Sequence, residues 1–272
     1  MNPIFAKMNF LKALLIFFLN ICDINPIYSQ TSMLRIAHFN MGQLSMGKKS
    51  KPLITKKDRS SIINQFENVF DIIAPDIIGF CEYAPYFSLK SDSTINTSDK
   101  TREAVLKNFK YFVSTKKEGM NCNAIASKKI LLKDNKVVSY LNRKQKRTYI
   151  VANISLNGKQ VKIVETHLDL PRFKELRDEQ VKQILSAFEK DDYVIICGDF
   201  NVASVNEYDV FKKKGYQLVN HGSFGNATTL PKKNKGYSID NIICKGFNIR
   251  SFQIYDTKLS DHYAISCDLE MK

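Results

Sequence analysis

Residues 194–202, VIICGDFNV, place a carboxylate and an amide, Asp199 and Asn201, two positions apart behind an apolar run. An ionised acid at the end of a buried strand is costly unless it is paired or bound to a cation. The same placement recurs along the chain. Asn40 ends MLRIAHFN, Glu82 ends DIIGFCE, His167 lies in ETHL, Asp240 lies within YSIDNIICKG, and Asp261 with His262 opens DHYAISCDLE. Carboxylates and amide oxygens suit a hard divalent cation, and imidazoles beside carboxylates move protons. Separate segments that each deliver such a group to a strand end imply convergence on one site.

Taken singly, each residue has an ordinary explanation. A lone strand-end Glu82 would sit at the surface, Asp240 could be a strand-edge acid, and Asp261 could cap a turn or helix. His38, on the apolar strand before Asn40, reads as a packed or hydrogen-bonded structural histidine, and His221 as a loop residue. Their joint order along the chain overrides these separate readings.

The elements that must position these groups follow from periodicity. MLRIAHFN (33–40) reads as a first strand, and a lysine-rich loop, GKKSKPLITKKDR, follows it. Ile62, Ile63, Phe66, Val69, Phe70 and Ile73 recur at helical spacing until Pro75. DIIGFCE (76–82) is a continuous apolar run between prolines and reads as a buried strand. Residues 88–98 read as polar loop and 99–109 as a short helix. Strands follow at KYFVST, CNAIAS and RTYIVANISLNGKQVKIVETHL, with Asn157-Gly158 as a hairpin turn. A helix is predicted over 173–188, a buried strand at 194–199, a helical piece over 204–214, and strands in YSIDNIICKG, FNIRSFQIY and the closing DHYAISCDLE. Strands outnumber helices and alternate with them, which predicts an α/β protein with substantial sheet.

Across its 272 residues the chain carries a net charge of +14 and is 44% hydrophobic, which excludes intrinsic disorder. Lys7 and Lys12 precede the apolar run ALLIFFLNI, and small or polar residues follow at PIYSQ, the layout of a secretory signal cleaved after Ser29. Met8 serves equally well as the start. A lipoprotein acylated at Cys22 is the weaker alternative, because Ile21 is larger than the residue such processing uses. The apolar run is too short to span a membrane, and no later segment reaches the required length. The mature chain, 30–272, is therefore expected to be one exported domain, secreted or periplasmic, and a monomer. Of the six cysteines, the five at Cys81, Cys122, Cys197, Cys244 and Cys267 read as buried free thiols. No CxxC pair points to a zinc ribbon.

The ordered motifs HFNM, IIGFCE, ETHL, GDFN, SIDNI and SDH resemble the endonuclease/exonuclease/phosphatase superfamily, which includes deoxyribonuclease I, abasic-site endonucleases, neutral sphingomyelinases and inositol-polyphosphate phosphatases. The resemblance spans about 33–270. It implies a four-layer α/β/β/α sandwich and divalent-metal-dependent hydrolysis of a phosphate ester. By that resemblance Glu82 is the principal Mg²⁺ ligand, with Asn40 and Asp261 beside it and Mn²⁺ as an alternative ion. Asp199 matches the residue that orients or deprotonates the attacking water, and Asn201 the one that holds that water or the phosphate. His262 with Asp240 matches a His–Asp pair, and His167 the histidine that contacts a phosphate oxygen or protonates the leaving group. Arg147 occupies a position where some relatives place a phosphate-contacting basic residue. The chain departs from the family pattern at Cys81, where a Gln is common, and in lacking any Trp near Asn40.

The fold serves many phosphate esters, so substrate must be read elsewhere. The lysine clusters GKKSK, TKK, RKQKR, KKK and KKNK read equally as a polyanion footprint or as the solvated surface of a lysine-rich chain; RKQKR adjoins a predicted site strand, and the overall basic charge tips the choice. The leading expectation is a nuclease acting on DNA. A sphingomyelinase-like or sugar/inositol-phosphate phosphodiesterase is the alternative among enzymes, and a catalytically silent binding module of the same fold is the alternative outside catalysis.

Overall fold

A computed structural model describes residues 33–42, 56–83, 106–115, 122–232 and 235–272. In chain order the elements are β1 (Met33–Asn40), α1 (Lys56–Ile73), β2 (Ile77–Cys81), β3 (Tyr111–Ser114), β4 (Ala124–Ser127), β5 (Lys133–Ser139), β6 (Thr148–Leu156), β7 (Lys159–His167), α2 (Lys174–Ala187) and β8 (Val194–Asp199). A 3₁₀ turn at Val205–Tyr208 leads into α3 (Asp209–Lys213). Then come β9 (Gln217–Leu218), β10 (Leu230–Lys232), β11 (Lys235–Tyr237), β12 (Asp240–Lys245), β13 (Phe247–Ile249), β14 (Gln253–Tyr255) and β15 (Ala264–Met271).

The strands form two large sheets, one ordered β13-β15-β1-β2-β4-β3 with β14 also on β15, the other β5-β6-β7-β8-β12-β9; β10 and β11 pair as a separate ribbon. Strand alternation then divides the apolar residues into layers. Leu34, Ile36, Ile77, Ile163, Ile195, Ile242, Ile265 and Cys267 fill the space between the sheets. The opposite faces bury Phe39, Phe80 and Ala124 against Phe66, Phe70 and Ile73 of α1, and Val164, Ile196 and Ile243 against Val181, Ile184 and Leu185 of α2. The result is the four-layer α/β/β/α sandwich.

The layer between the sheets changes character along its length. Positions that are apolar in the middle of β1, β7, β8 and β12 continue at the same parity as His38 and Asn40, Glu165 and His167, Asp199, and Asp240. All of these side chains are buried. Parallel pairing of β1 with β2 and of β7 with β8 brings strand ends to the same rim: Asn40 lies opposite Cys81, and His167 opposite Asp199. Antiparallel β12 starts there, so Asp240 lies opposite Asp199.

Several local expectations are corrected. Helix α1 begins at Lys56, inside the stretch read as loop, because its first turn is polar and gives no apolar periodicity. Residues 106–109, the described part of the helix expected over 99–109, form a turn. β5 was not anticipated; it is an exposed edge strand of lysines and valines without clean alternation. FNIRSFQIY divides into β13 and β14, separated where Arg250 N–H bonds the Asp268 carbonyl at 2.8 Å. YSIDNIICKG divides between β11 and β12. The five cysteines of the described chain are buried and free. The expected signal at 1–29 and the loop over 88–98 lie outside the described residues. Among the described residues no helix is long and apolar enough to cross a membrane.

Candidate active site

Asp199 is the hub of the rim. Its Oδ1 accepts the Asn201 backbone N–H at 2.9 Å, and its Oδ2 accepts Asn40 Nδ2 at 3.0 Å. The same Oδ2 lies 3.4 Å from His167 Nε2 and 4.0 Å from His262 Nε2. Asn201 turns at φ +48°, a left-handed conformation that asparagine tolerates, and donates its side-chain amide to the Leu168 carbonyl at 3.0 Å. The tight GDFN turn is therefore set by its own backbone and by the strand that carries His167.

Asp240 holds two histidines. Its Oδ2 meets His262 Nδ1 at 2.8 Å and its Oδ1 meets His38 Nε2 at 3.1 Å. Thr229 Oγ1 accepts the Asp240 backbone N–H at 3.1 Å and so fixes the start of β12. On the far side of His38, Nδ1 lies 3.0 Å from Glu165 Oε1, which also accepts Cys81 Sγ at 3.2 Å. Gly79 makes room for this carboxylate, since a Cβ there would overlap Glu165 Oε2.

Glu82 follows β2 directly, half-buried and at φ +48°. Asp261 is exposed, and its neighbour Ser260 donates Oγ to the Asn40 carbonyl at 2.7 Å and accepts His262 N–H at 3.1 Å, tying the SDH segment to the end of β1. Asn40 thus ends β1 next to the SDH segment, and Glu82 follows the end of the neighbouring strand β2. Asp199, Asp240 and His262 bring ligand atoms within 4.8 Å of one another. Arg147 is buried just before β6, and that burial lowers its pKa against the opposing pull of Asp199, Glu82 and Asp169. The RKQKR loop it closes is anchored by Asp169, whose carboxylate accepts the Lys144 and Gln145 backbone N–H groups at 3.3 Å.

The electrostatics separate the groups. Burial and the facing Asp240 carboxylate push Asp199 up to about 7. Burial opposes ionisation of Asp240 too, but His262 and His38 on its two oxygens hold it below the usual carboxylate range. For His262, burial would lower the pKa, yet Asp240 and Asp199 override it and raise the imidazole to about 9. His167 goes the other way: burial, Arg147 and His262 hold it well below the ordinary histidine value.

The structure brings Asn40, His167, Asp199, Asn201, Asp240 and His262 into one contact network, with Arg147 in its field. Glu82 and Asp261 border it at the ends of β2 and before β15. Reasoning from the sequence missed Glu165 and the bridging position of His38. Strand parity carried the clue: Glu165 has the inward parity of Val161, Ile163 and His167.

A sequence model described as the Endonuclease/Exonuclease/phosphatase family matches residues 53–262. Among solved structures, D. rerio TDP2 complexed with single-strand DNA product superposes with a TM-score of 0.67 at 14% identity, covering 88% of this chain and 99% of that one. The human Nocturnin catalytic domain with bound sulfate gives 0.64 at 17% identity, covering 89% and 95%. An endonuclease/exonuclease/phosphatase from Bacteroides vulgatus gives 0.65 at 17% identity, covering 88% and 99%. Identities this low establish a shared fold alone. No curated protein matches the sequence.

Proposed function

The chain belongs to the endonuclease/exonuclease/phosphatase family, and we propose that it is an exported, divalent-metal-dependent phosphodiesterase whose substrate is DNA. One observation carries the reading: Asp199 is held by Asn40 and Asn201 within reach of two histidines at the rim of the inter-sheet layer. Phosphoryl hydrolysis needs charge neutralised on the non-bridging oxygens, an in-line water, and help for the leaving oxygen.

Glu82, Asn40 and Asp261 would hold a magnesium or manganese ion, which supplies charge neutralisation when bound. Asp199 orients the water and takes its proton, a role that suits a carboxyl pushed up to about 7. Asn201 spends one amide N–H on Leu168 and keeps a second to fix the water or a phosphate oxygen. The two histidines are driven apart, and such divergence divides their roles. His262, protonated and held by Asp240, supplies positive charge to the phosphoryl group and a proton to the leaving oxygen. His167 and Arg147 hold non-bridging oxygens, the histidine in its neutral form.

DNA is favoured by the net charge of +14 and by the RKQKR loop beside the site. The bound product in the D. rerio TDP2 structure supports the same direction. The test is purified protein with Mg²⁺ or Mn²⁺ against plasmid, single-stranded DNA, RNA, sphingomyelin and a chromogenic phosphodiester. DNA cleavage that disappears with chelator and in Asp199→Ala is expected. Turnover of sphingomyelin alone would move the substrate to lipids, and binding without any turnover would overturn the enzyme reading.

A further inference from the structure

We propose that His38, Cys81 and Glu165 form a second metal site, selective for zinc, buried between the sheets and separate from the oxygen donors at Asn40, Glu82 and Asp261. All three side chains are wholly buried, and their donor atoms lie within 4.8 Å of one another. Glu165 Oε1 is 3.0 Å from His38 Nδ1 and 3.2 Å from Cys81 Sγ. Among the described residues, His38 Nδ1 has no aligned hydrogen-bond partner despite that closeness, and Glu165 Oε2 has none at all. Buried polar atoms left this way cost stability and call for an ion or water.

The geometry and chemistry of that point suit zinc. Bonds of about 2.0–2.3 Å in a tetrahedron separate ligands by about 3.3–3.6 Å, so the two separations from Glu165 Oε1, 3.0 and 3.2 Å, need to open by a few tenths of an ångström, and the third, between His38 and Cys81, is within 4.8 Å. A thiolate excludes magnesium and calcium, which take oxygen ligands, and selects a softer ion. Zn²⁺ with one thiolate, one carboxylate and one neutral imidazole is electrically neutral, as a site without solvent requires. Binding releases the thiol proton and any proton on Nδ1.

A supporting shell is already in place. His38 Nε2 lies 3.1 Å from Asp240 Oδ1, the carboxylate–histidine arrangement that fixes a metal-binding imidazole with its other nitrogen free for the ion. The Thr166 carbonyl, 3.0 Å from Cys81 Sγ, offers a fourth oxygen beside the three. Because the ligands come from β1 and β2 of one sheet and β7 of the other, the ion would staple the two sheets and fix the histidine behind Asp240.

The experiment strips purified protein with chelator, then titrates Zn²⁺ and Co²⁺ in Mg²⁺-containing buffer. One tightly held zinc equivalent is expected, with a thiolate-to-cobalt charge-transfer band in the Co²⁺ form and a rise in thermal midpoint. All three should vanish in Cys81→Ser and survive in Glu82→Gln. Zinc-edge X-ray absorption on wild-type protein should show one sulfur in the coordination shell, a measurement that needs no variant to fold. A shell of nitrogen and oxygen only, a charge-transfer band that persists in Cys81→Ser, or one lost in Glu82→Gln would overturn the proposal.

Discussion

His262 and Asp240 are joined by a 2.8 Å contact between Nδ1 and Oδ2, which aims the other ring nitrogen at Asp199. The carboxylate fixes the tautomer and stabilises the imidazolium. Asp240→Asn keeps the shape but offers an amide where the imidazole needs an acceptor. Loss of a positioned acid–base group costs about 10²–10⁴ in rate. Steady-state turnover of the best phosphodiester should therefore fall by that factor, with an unchanged circular dichroism spectrum. A fall below tenfold would show that the pair is structural.

Glu82 occupies a left-handed backbone conformation, φ +48°, where a side chain costs about 1–2 kcal/mol. Glycine adopts it without strain. Glu82→Gly should be more stable than Glu82→Ala by about 1 kcal/mol in urea unfolding, while both lose metal-dependent turnover. Equal stability of the two variants would place this turn in another conformation.

Gly79 shows how closely the sheets approach. The Cβ of Gly79→Ala would overlap the buried Glu165 carboxylate, which could shift only by disturbing its contacts with His38 and Cys81. Overpacking of this kind costs about 1–3 kcal/mol. A drop of that size in unfolding free energy is expected, and a neutral substitution would mean the carboxylate lies elsewhere.

The pH dependence of stability follows from His262, whose folded-state pKa of about 9 exceeds the 6.5 of an ordinary imidazole. Below about 6.5 folded and unfolded chains both bind the proton, so its full stabilisation is present. Between about 6.5 and 9 only the folded state keeps it, and stability falls by about 1.4 kcal/mol per pH unit. Above about 9 the contribution is gone. In chelator, the stability gap between wild type and His262→Gln should narrow across that window; a gap independent of pH would contradict the ion pair.

Much of this rim was legible in the chain because strand ends carry it. Asp199, Asn201 and His167 follow apolar runs whose parity already points them inward, and Pro75 marks where α1 must stop. What could not be read was cross-strand pairing. Nothing local to HFNM says that His38 will lie between Asp240 and Glu165, which are far away in sequence and meet it only when the sheets close face to face. β5 escaped for the opposite reason: an exposed edge strand has one solvated side and no buried face to impose alternation.

The RKQKR loop offers the test of substrate class. Asp169 pins its backbone next to the rim, Arg147 is buried, and Lys144 and Lys146 are exposed. If DNA runs past this loop, each lysine that neutralises a phosphate releases a counterion and adds about 0.9 to the slope of log affinity against log salt on duplex DNA, or about 0.7 on single strands. The double variant Lys144→Ala/Lys146→Ala, measured on catalytically dead Asp199→Ala protein, should bind DNA more weakly at every sequence and lose between one and two such increments of slope. If Arg147 holds the reacting phosphate as proposed, Arg147→Lys should instead lower turnover, because lysine cannot reproduce the planar fork of a buried guanidinium. A salt slope unchanged by the lysine pair would move the polyanion path off this loop.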